Sequence, residues 1–369
     1  MLSSCDMRCT VLLLLLCLLF ACLHAASATQ QANGQQSAEV NRAGLCYGIF
    51  AGDLPSPQEA VALIKSIGAG RVRLYGPDQN VLQALRNTSL EVVLGVPDWQ
   101  IPSLGSSQEY ANQWIEENIK NFQDINFRYV VVGNKMPSEN QDSVAFLPKA
   151  LQNIQNAVSS SGLKNQIKVS SAFDHSVILN QIHPPSKAEF NEKYPIGDII
   201  QFLKNNNAPF LVNMHPYYSY AFNKPEIPPE LNKDGQTSGD KRLQYAIFRS
   251  PSVVVQDGRL RYKNVFDAMV DAVYSALEKA GASALDVVVS ETGWPTAEGP
   301  GATAYNAKIY NNNLIKRIKS KGTPKRPKKP VETYIYNLFD ENQRSGVDKH
   351  WGIFDQANKQ AKYPINFAS

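Results

Sequence analysis

Residues Leu285–Trp294 read LDVVVSETGW, and this stretch decides the fold. Three consecutive valines predict a strand that is buried on both faces, as in a parallel sheet. The strand ends with Glu291, and a carboxylate at the end of an apolar strand is costly to bury. This position indicates a functional site at the carboxyl end of the strand. The alternative is a structural glutamate that is hydrogen-bonded to a neighbouring strand.

Seven more segments are strand-like, and helical patterns alternate with them. The strand candidates are Leu45–Ala51, Gly70–Gly76, Glu91–Pro97, Arg128–Asn134, Ile167–Phe173, Pro209–Tyr217 and Val331–Asp340. The clearest helical candidates are Gln108–Phe122, Leu147–Ser160, Ile196–Asn206, Val265–Ala280 and Ala304–Lys319. A further helix begins after Ser56, a favoured N-cap residue that Pro57 follows.

Eight strands that alternate with helices, with no linker between them, predict an α/β fold of the (β/α)8 TIM-barrel type. The alternative, an open doubly wound sheet, usually carries a G-x-G-x-x-G turn after its first strand, and Gly48–Gly52 does not match it. Residues 219–261 form an unusually long connection after the sixth strand. We expect a small subdomain there, inserted beside the cleft.

The first 28 residues have the features of a secretory signal peptide. Arg8 precedes the uncharged run Val11–Leu23, and the small residues Ala26–Ala28 follow. We therefore expect residues 1–28 to be removed, 29–43 to be a flexible segment and 44–369 to be a single barrel. The mature protein is then predicted to be extracellular, in the cell wall or apoplast, and monomeric. Residues 365–369 do not form a hydrophobic tail, so we expect no lipid-anchor signal there.

Composition excludes several classes of protein. The 369 residues are 43% hydrophobic and 19% charged, which is ordinary for a globular protein. A formal net charge of +4 argues against a dedicated nucleic-acid binder. The five histidines lack the spacing of metal ligands, and we expect no metal or other cofactor. Asn87 begins the sequon Asn-Thr-Ser and is a candidate for glycosylation.

Several motifs, in order along the chain, resemble those of glycoside hydrolase family 17, which contains the plant endo-1,3-β-glucosidases. They include GLCYG at 44–48, RVRLYGPDQ at 71–79, VVVGN at 130–134, VVVSETGWPT at 287–296 and ETYIYNLFDENQ at 332–343. The resemblance covers nearly all of the chain after residue 43. It implies a (β/α)8 barrel that acts on β-1,3-glucans such as callose, laminarin and fungal wall glucan.

The resemblance also implies a retaining mechanism and a set of site residues. Retaining hydrolysis uses two carboxyl groups about 5–5.5 Å apart. Carried over by motif, Glu291 is the nucleophile, and Glu332 and Glu341 correspond to acidic residues that line the family's cleft. Further substrate-binding candidates at the strand ends are Tyr75, Asn134, His215, Tyr217 and Trp294.

The sequence departs from the family at the end of the fourth strand. The family motif is GNE, and its glutamate is the general acid/base, whereas this chain has Gly133-Asn134-Lys135. An ammonium with a pKa near 10 donates a proton poorly at neutral pH and cannot serve as the base of the second step. Lys135 is also expected to favour the ionised form of Glu291. We therefore expect glucan binding with weak or absent hydrolysis.

Three alternatives stay open. The chain is an active endo-1,3-β-glucosidase if another acid, such as Glu139, donates the proton. It is a Schiff-base enzyme if Lys135 is a desolvated nucleophile. The third alternative is that Lys135 is a chance substitution in an otherwise normal enzyme. The preference between β-1,3 and mixed β-1,3/1,4 glucans, and the choice among defence, callose turnover and a decoy role, are not decided by the sequence.

Overall fold

Nine parallel strands form the central sheet of a computed structural model that describes residues 43–137, 141–178, 183–194, 196–232 and 239–368. The predicted signal peptide lies outside these residues, as does all of the segment 29–43 except its last residue. The strands are β1 (Ala43–Tyr47), β2 (Arg71–Leu74), β3 (Glu91–Val96), β4 (Asn126–Val132), β5 (Lys168–Ser170), β6 (Ala172–Asp174), β7 (Phe210–Asn213), β10 (Val287–Thr292) and β11 (Glu332–Ile335). A separate antiparallel pair consists of β8 (Val255–Asp257) and β9 (Leu260–Tyr262).

The parallel strands close into a barrel. Their order is β5-β4-β3-β2-β1-β11-β10-β7-β6, and every neighbouring pair is parallel. The two ends of this order, β5 and β6, are separated in sequence only by Ser171. The predicted fifth strand, Ile167–Phe173, is therefore one interrupted strand that pairs with β4 through its first half and with β7 through its second. The eight predicted strand positions and the TIM-barrel fold are confirmed.

Ten α-helices of the described chain connect the strands. They are α1 (Pro57–Ser66), α2 (Gln79–Leu85), α3 (Ile101–Ser106), α4 (Gln108–Asn118), α5 (Gln141–Ser160), α6 (Ile196–Asn206), α7 (Pro216–Ala221), α8 (Lys241–Ala246), α9 (Val265–Lys279) and α10 (Ala304–Ser320). Ser56 caps α1 as predicted: its hydroxyl accepts from the N–H of Glu59, whose carboxylate accepts from the N–H of Ser56.

Several predicted boundaries are wrong at the carboxyl ends of the strands. The predicted strand Pro209–Tyr217 stops at Asn213, because Pro216 begins a short helix. The predicted strand Val331–Asp340 stops at Ile335. Helix α5 begins at Gln141, not Leu147, and contains Pro148. The shorter strands leave long loops at the carboxyl ends, where a barrel carries its site.

The long connection after β7 holds α7, α8 and the hairpin β8–β9. Its first helix approaches the barrel mouth, because the Tyr218 hydroxyl donates to Asp348 and its ring contacts His215 and Trp351.

No helix in the described part of the chain combines the length and apolarity that a bilayer crossing requires.

The barrel interior changes in character from one end to the other. A small apolar layer fills its middle and includes Cys46, Val93, Leu211 and Val288, all almost completely buried. A much larger apolar core lies between the strands and the surrounding helices. By strand register the buried Arg73 lies beside Cys46 and Val93 of the small layer, so a charged side chain packs directly against it.

Candidate active site

Glu291 lies at the carboxyl end of β10, at the mouth of the barrel. Its side chain is only 2% exposed. It borders a cavity of about 570 Å³ whose other lining residues are Gly48, Ile49, Phe50, Tyr75, Asp98, Asn134, Lys135, Tyr336, Glu341 and Arg344. The structure therefore brings the predicted residues Tyr75, Asn134, Lys135, Glu291 and Glu341 to one cleft.

The buried guanidinium of Arg73 organises the floor of this cleft. Its Nη1 donates to Oε1 of Glu291 over 3.1 Å and to the carbonyl of Ser290 over 2.7 Å. Its Nη2 donates to Oδ1 of Asn134 over 2.8 Å. Asn213 donates to the same Asn134 oxygen over 2.8 Å. These hydrogen bonds, of which those from Arg73 are charge-assisted, connect the ends of β2, β4, β7 and β10.

The surrounding cations hold Glu291 in its ionised form. Burial by itself raises the pKa of Glu291, but the charge of Lys135 and then that of Arg73 outweigh burial and lower the pKa below its ordinary value. A carboxylate that is fully ionised at neutral pH has the protonation state that a nucleophile needs.

Lys135 stands directly after Asn134 on the loop that leaves β4. Its side chain is exposed and its backbone has a φ of 52°. Gly133 precedes it with a φ of 81°, where a Cβ atom would lie 2.9 Å from the Met136 sulfur. With left-handed backbone at these two positions, on either side of Asn134, the loop carries Lys135 at the rim of the cavity. The prediction that Lys135 favours the ionised form of Glu291 agrees with the lowered pKa.

His215 lies between β7 and α7, with its Nε2 3.8 Å from Oε2 of Glu291. Burial lowers its pKa to about 4, against the opposing effect of Glu291 and with a smaller contribution from Lys135. The imidazole is therefore neutral at pH 7. It packs edge-on against Tyr336 and Trp351, so that its orientation is fixed by rings rather than by charge.

Glu341 closes the opposite side of the cavity. It accepts hydrogen bonds from the Tyr336 hydroxyl over 2.6 Å and from Nδ2 of Asn337 over 3.3 Å, and it is ion-paired with Arg344. A Cβ atom on Gly48 would lie 2.1 Å from the Glu341 carboxylate, so only glycine leaves room for it. Glu341 is an acceptor in each of these contacts and is engaged as a structural part of the cleft wall.

Two of the predicted aromatic residues do not line the cleft. Trp294 is completely buried, where its Nε1 donates to the carbonyl of Gly301 and its ring packs against Tyr310. Tyr217 is 1% exposed and packs edge-on against Trp294. Neither ring presents a face to a ligand. Both residues belong to the packed core next to the barrel mouth.

Glu332 is not part of the cleft either. It is the first residue of β11, at the amino end of the barrel, where it pairs with Arg128 over 2.7 Å and with Arg71 over 3.5 Å. The hydroxyls of Tyr334 and Tyr129 also donate to it. Residues at this end of a TIM barrel contribute to its stability, whereas the active site lies at the opposite end. Asn87, the candidate for glycosylation, is exposed after α2.

Trp99 and Arg73 were not among the site residues predicted from the sequence. Trp99 is 71% exposed and lines a neighbouring cavity of about 440 Å³ that shares Ile49 and Tyr75 with the first one. A large exposed indole next to a cleft is a signal for ligand binding, but the sequence does not reveal which tryptophan is exposed. Arg73 had a readable signal, since Arg71 and Arg73 point to the same face of an otherwise apolar strand.

We predict that Arg73→Met lowers the free energy of unfolding by about 3–5 kcal/mol, because it leaves Glu291 buried without its cation. Urea unfolding followed by circular dichroism measures this change. Arg86→Met is the matched control: Arg86 pairs with Asp124 at the surface, and its loss is expected to cost under about 1 kcal/mol. Equal losses in the two variants would contradict the central role of Arg73.

We predict that His215 makes folding stability depend on pH. The unfolded chain takes up a proton near pH 6.5 but the folded protein only near pH 4, so stability falls as pH drops through this window. Between pH 7 and 4.5, His215→Phe should lose about 2 kcal/mol less than the parent protein. Trp351→Phe, which alters a ring contact of His215 without removing the titrating group, should retain the full pH dependence. Parallel pH profiles of His215→Phe and the parent would refute this assignment.

The chain matches known proteins over the whole barrel. The family model described as glycosyl hydrolases family 17 matches residues 43–367. A basic vacuolar glucan endo-1,3-beta-glucosidase of Nicotiana plumbaginifolia is 42% identical over 330 residues, which are 88% of this chain and 86% of the relative.

Two solved structures agree with this result. CJP38, a beta-1,3-glucanase and pollen allergen of Cryptomeria japonica, has a TM-score of 0.79 and 40% identity, covering 88% of this chain and 98% of that one. One of two plant beta-glucan endohydrolases with distinct substrate specificities has a TM-score of 0.78 and 37% identity, covering 88% and 99%. The chain therefore belongs to family 17 of the glycosyl hydrolases.

Proposed function

We propose that this protein binds β-1,3-glucan in the cleft above Glu291 and hydrolyses it weakly or not at all. The names of the relatives support the substrate class, since they are glucan endo-1,3-beta-glucosidases. The observation that carries the proposal is the exposed ammonium of Lys135 at the rim of the Glu291 cavity, where the family motif has the acid/base glutamate.

Retaining hydrolysis proceeds in two steps, and Lys135 affects each of them. In the first, Glu291 attacks the anomeric carbon while an acid protonates the departing glycosidic oxygen. Arg73 holds one oxygen of Glu291, and the lowered pKa keeps the group anionic, so the nucleophile is prepared. The proton, however, has to come from an ammonium, which is a much weaker acid than a carboxyl group. In the second step, a cationic lysine cannot accept the proton of the attacking water.

The two adjoining cavities form a groove suited to a chain of sugar rings. Exposed apolar side chains border it: Ile49 is 49% exposed, Phe50 52% and Trp99 71%. Flat apolar faces next to polar groups such as Asn134 and Tyr336 match the two kinds of surface that a glucose ring presents. Binding therefore does not depend on the missing carboxylate.

The alternative, an active endo-1,3-β-glucosidase, has one specific candidate for the missing acid. Asp98 lines the same cavity as Glu291 and accepts the N–H of Asn134 over 2.9 Å. Burial raises its pKa in spite of that hydrogen bond, which favours the protonated form that an acid needs. Glu139 lies outside the described residues. The Schiff-base alternative has less support, because the side chain of Lys135 is exposed and not desolvated.

The place of action is proposed from sequence alone. Residues 1–28 support export, and the expected destination is the extracellular wall, where β-1,3-glucans occur as callose. Vacuolar isoforms occur among the relatives, so microscopy of a fluorescent fusion that retains residues 1–28 separates the two destinations.

We predict that Lys135→Glu raises the rate of reducing-sugar release from laminarin by about 10²–10⁴-fold, the usual contribution of general acid–base assistance. Lys135→Gln is the matched control, since it removes the ammonium but supplies no acid, and it should stay near the parent rate. The double variant Lys135→Glu/Glu291→Gln should be inactive. A parent protein already as fast as Lys135→Glu, and slowed by Asp98→Asn, would establish the active alternative instead.

We predict that Trp99→Ala weakens laminarin binding about tenfold, because the indole face is lost from the groove. Affinity electrophoresis or calorimetry on the parent background measures the binding without requiring turnover. Phe146→Ala, which truncates an exposed ring on α5, should leave the affinity unchanged. Glu332→Gln should also leave it unchanged, since Glu332 lies at the far end of the barrel. A loss of affinity in Glu332→Gln as large as in Trp99→Ala would overturn this map of the groove.

A further inference from the structure

A second groove, lined by other elements than the cleft, runs along helix α10. Two adjoining cavities form it and share Asn313 and Lys316. One is also lined by residues that follow α8 and by the carboxyl-terminal residues 364–366; the other is lined by β9 and by the loop 321–327. None of the residues that line the glucan cleft lines this groove.

The groove is strongly basic. Six exposed cationic side chains line it: Arg249, Arg261, Lys263, Lys308, Lys316 and Lys321. Asp267 is the acidic residue among its described lining, and it is already paired with Arg317 over 2.9 Å. The lining therefore carries a large positive excess, although the whole chain has a formal net charge of only +4.

A neighbouring basic segment provides a contrast within the same molecule. The sequence has a denser basic run at residues 325–329, in which three of the four cations have carboxylate partners. Lys325 and Arg326 pair with Glu278 over 2.8 and 2.6 Å, and Lys329 pairs with Asp286. The exposed cations of the groove therefore lie beside a loop in which most of the cations have carboxylate partners.

The shape of the charge distribution fits an extended ligand. Lys308 and Lys316 are eight residues apart on α10, a distance of about 12 Å along the helix axis. Cations spread over such a length repel one another, and a linear polyanion relieves that repulsion along its whole length. A small anion would contact only one end of the groove.

Polar and aromatic side chains between the cations fit a sugar chain. The Nδ2 atom of Asn312 donates to the carbonyls of Lys308 and Pro364, and that of Asn313 donates to the carbonyl of Ile247, so both amides have fixed orientations. Tyr305, 64% exposed, adds a ring face and a hydroxyl. Fixed amides suit hydroxyl groups, and a ring face suits the apolar side of a pyranose.

We propose that this groove binds a linear polysaccharide that carries a carboxylate on each sugar, a polyuronate. Such a ligand combines the three features that the lining addresses, namely negative charge, hydroxyl groups and ring faces. The proposal is independent of the proposed glucan activity, because the two sites share no lining residue. It gives the protein a second point of attachment to an acidic polysaccharide matrix while the glucan cleft stays open.

The test measures the affinity of the full mature chain for polygalacturonate by calorimetry at low salt. The triple variant Lys263→Gln/Lys308→Gln/Lys316→Gln should bind about tenfold more weakly. The control triple variant Lys149→Gln/Lys164→Gln/Lys204→Gln removes three exposed lysines from other surfaces, with the same change in net charge, and should bind within about twofold of the parent. Laminarin binding by both triple variants should equal that of the parent.

Two further polymers separate a polyuronate site from a general basic surface. Fully methyl-esterified polygalacturonate keeps the sugars but loses the charges, and it should not bind. Single-stranded DNA of equal charge keeps the charges but has no pyranose rings with free hydroxyl groups, and it should bind more weakly than polygalacturonate. The proposal is overturned if the two triple variants lose affinity equally, or if DNA binds as tightly as polygalacturonate and responds in the same way to the groove variant.

Discussion

The ion pair between Arg73 and Glu291 is the constraint on which the mouth of this barrel depends. Both side chains are 2% exposed, and Nη1 lies 3.1 Å from Oε1. A charge so deeply buried is tolerated when an opposite charge and hydrogen-bond partners compensate for the loss of water. Arg73 meets this requirement by binding Asn134 and the carbonyl of Ser290 as well. The same contacts hold Glu291 and the end of β4 in fixed positions.

The charge of Lys135, at the rim of the cavity, also affects the ionisation of Glu291. In a family-17 barrel with two carboxyl groups at the mouth, one must carry a proton while the other is ionised, and each affects the pKa of the other. Here the position next to Asn134 carries a positive charge. This charge lowers the pKa of Glu291, whereas a second carboxylate would raise it. The neutral His215 adds no charge at pH 7. The charges around Glu291 therefore favour its anionic form, which is the form that the proposed nucleophile needs.

The fold could be predicted from the sequence largely because strand periodicity and order are local properties. The valine run before Glu291 and the eight alternating segments were sufficient for the barrel, and the shared strand ends placed Tyr75, Asn134, Lys135 and Glu291 together. Exposure was not predictable, because it depends on which loops pack over a ring. Trp294 looked like a cleft residue and is buried, whereas Trp99 was overlooked and is 71% exposed. Glu332 was assigned to the cleft through the motif resemblance, although the predicted strand Val331–Asp340 already had it near the amino end, where the structure places it as the first residue of β11.

The most direct test is whether Glu291 attacks a glycoside whose departure needs no proton donor. Intact-protein mass spectrometry after incubation with 2,4-dinitrophenyl β-laminaribioside, whose leaving group needs no protonation, addresses this point. We expect one equivalent of dinitrophenolate to be released in a burst and a glycosyl ester to form on Glu291. Azide, which attacks without a base, should then cleave the ester and give the β-glycosyl azide. Unmodified protein that nevertheless hydrolyses laminarin steadily would contradict the account.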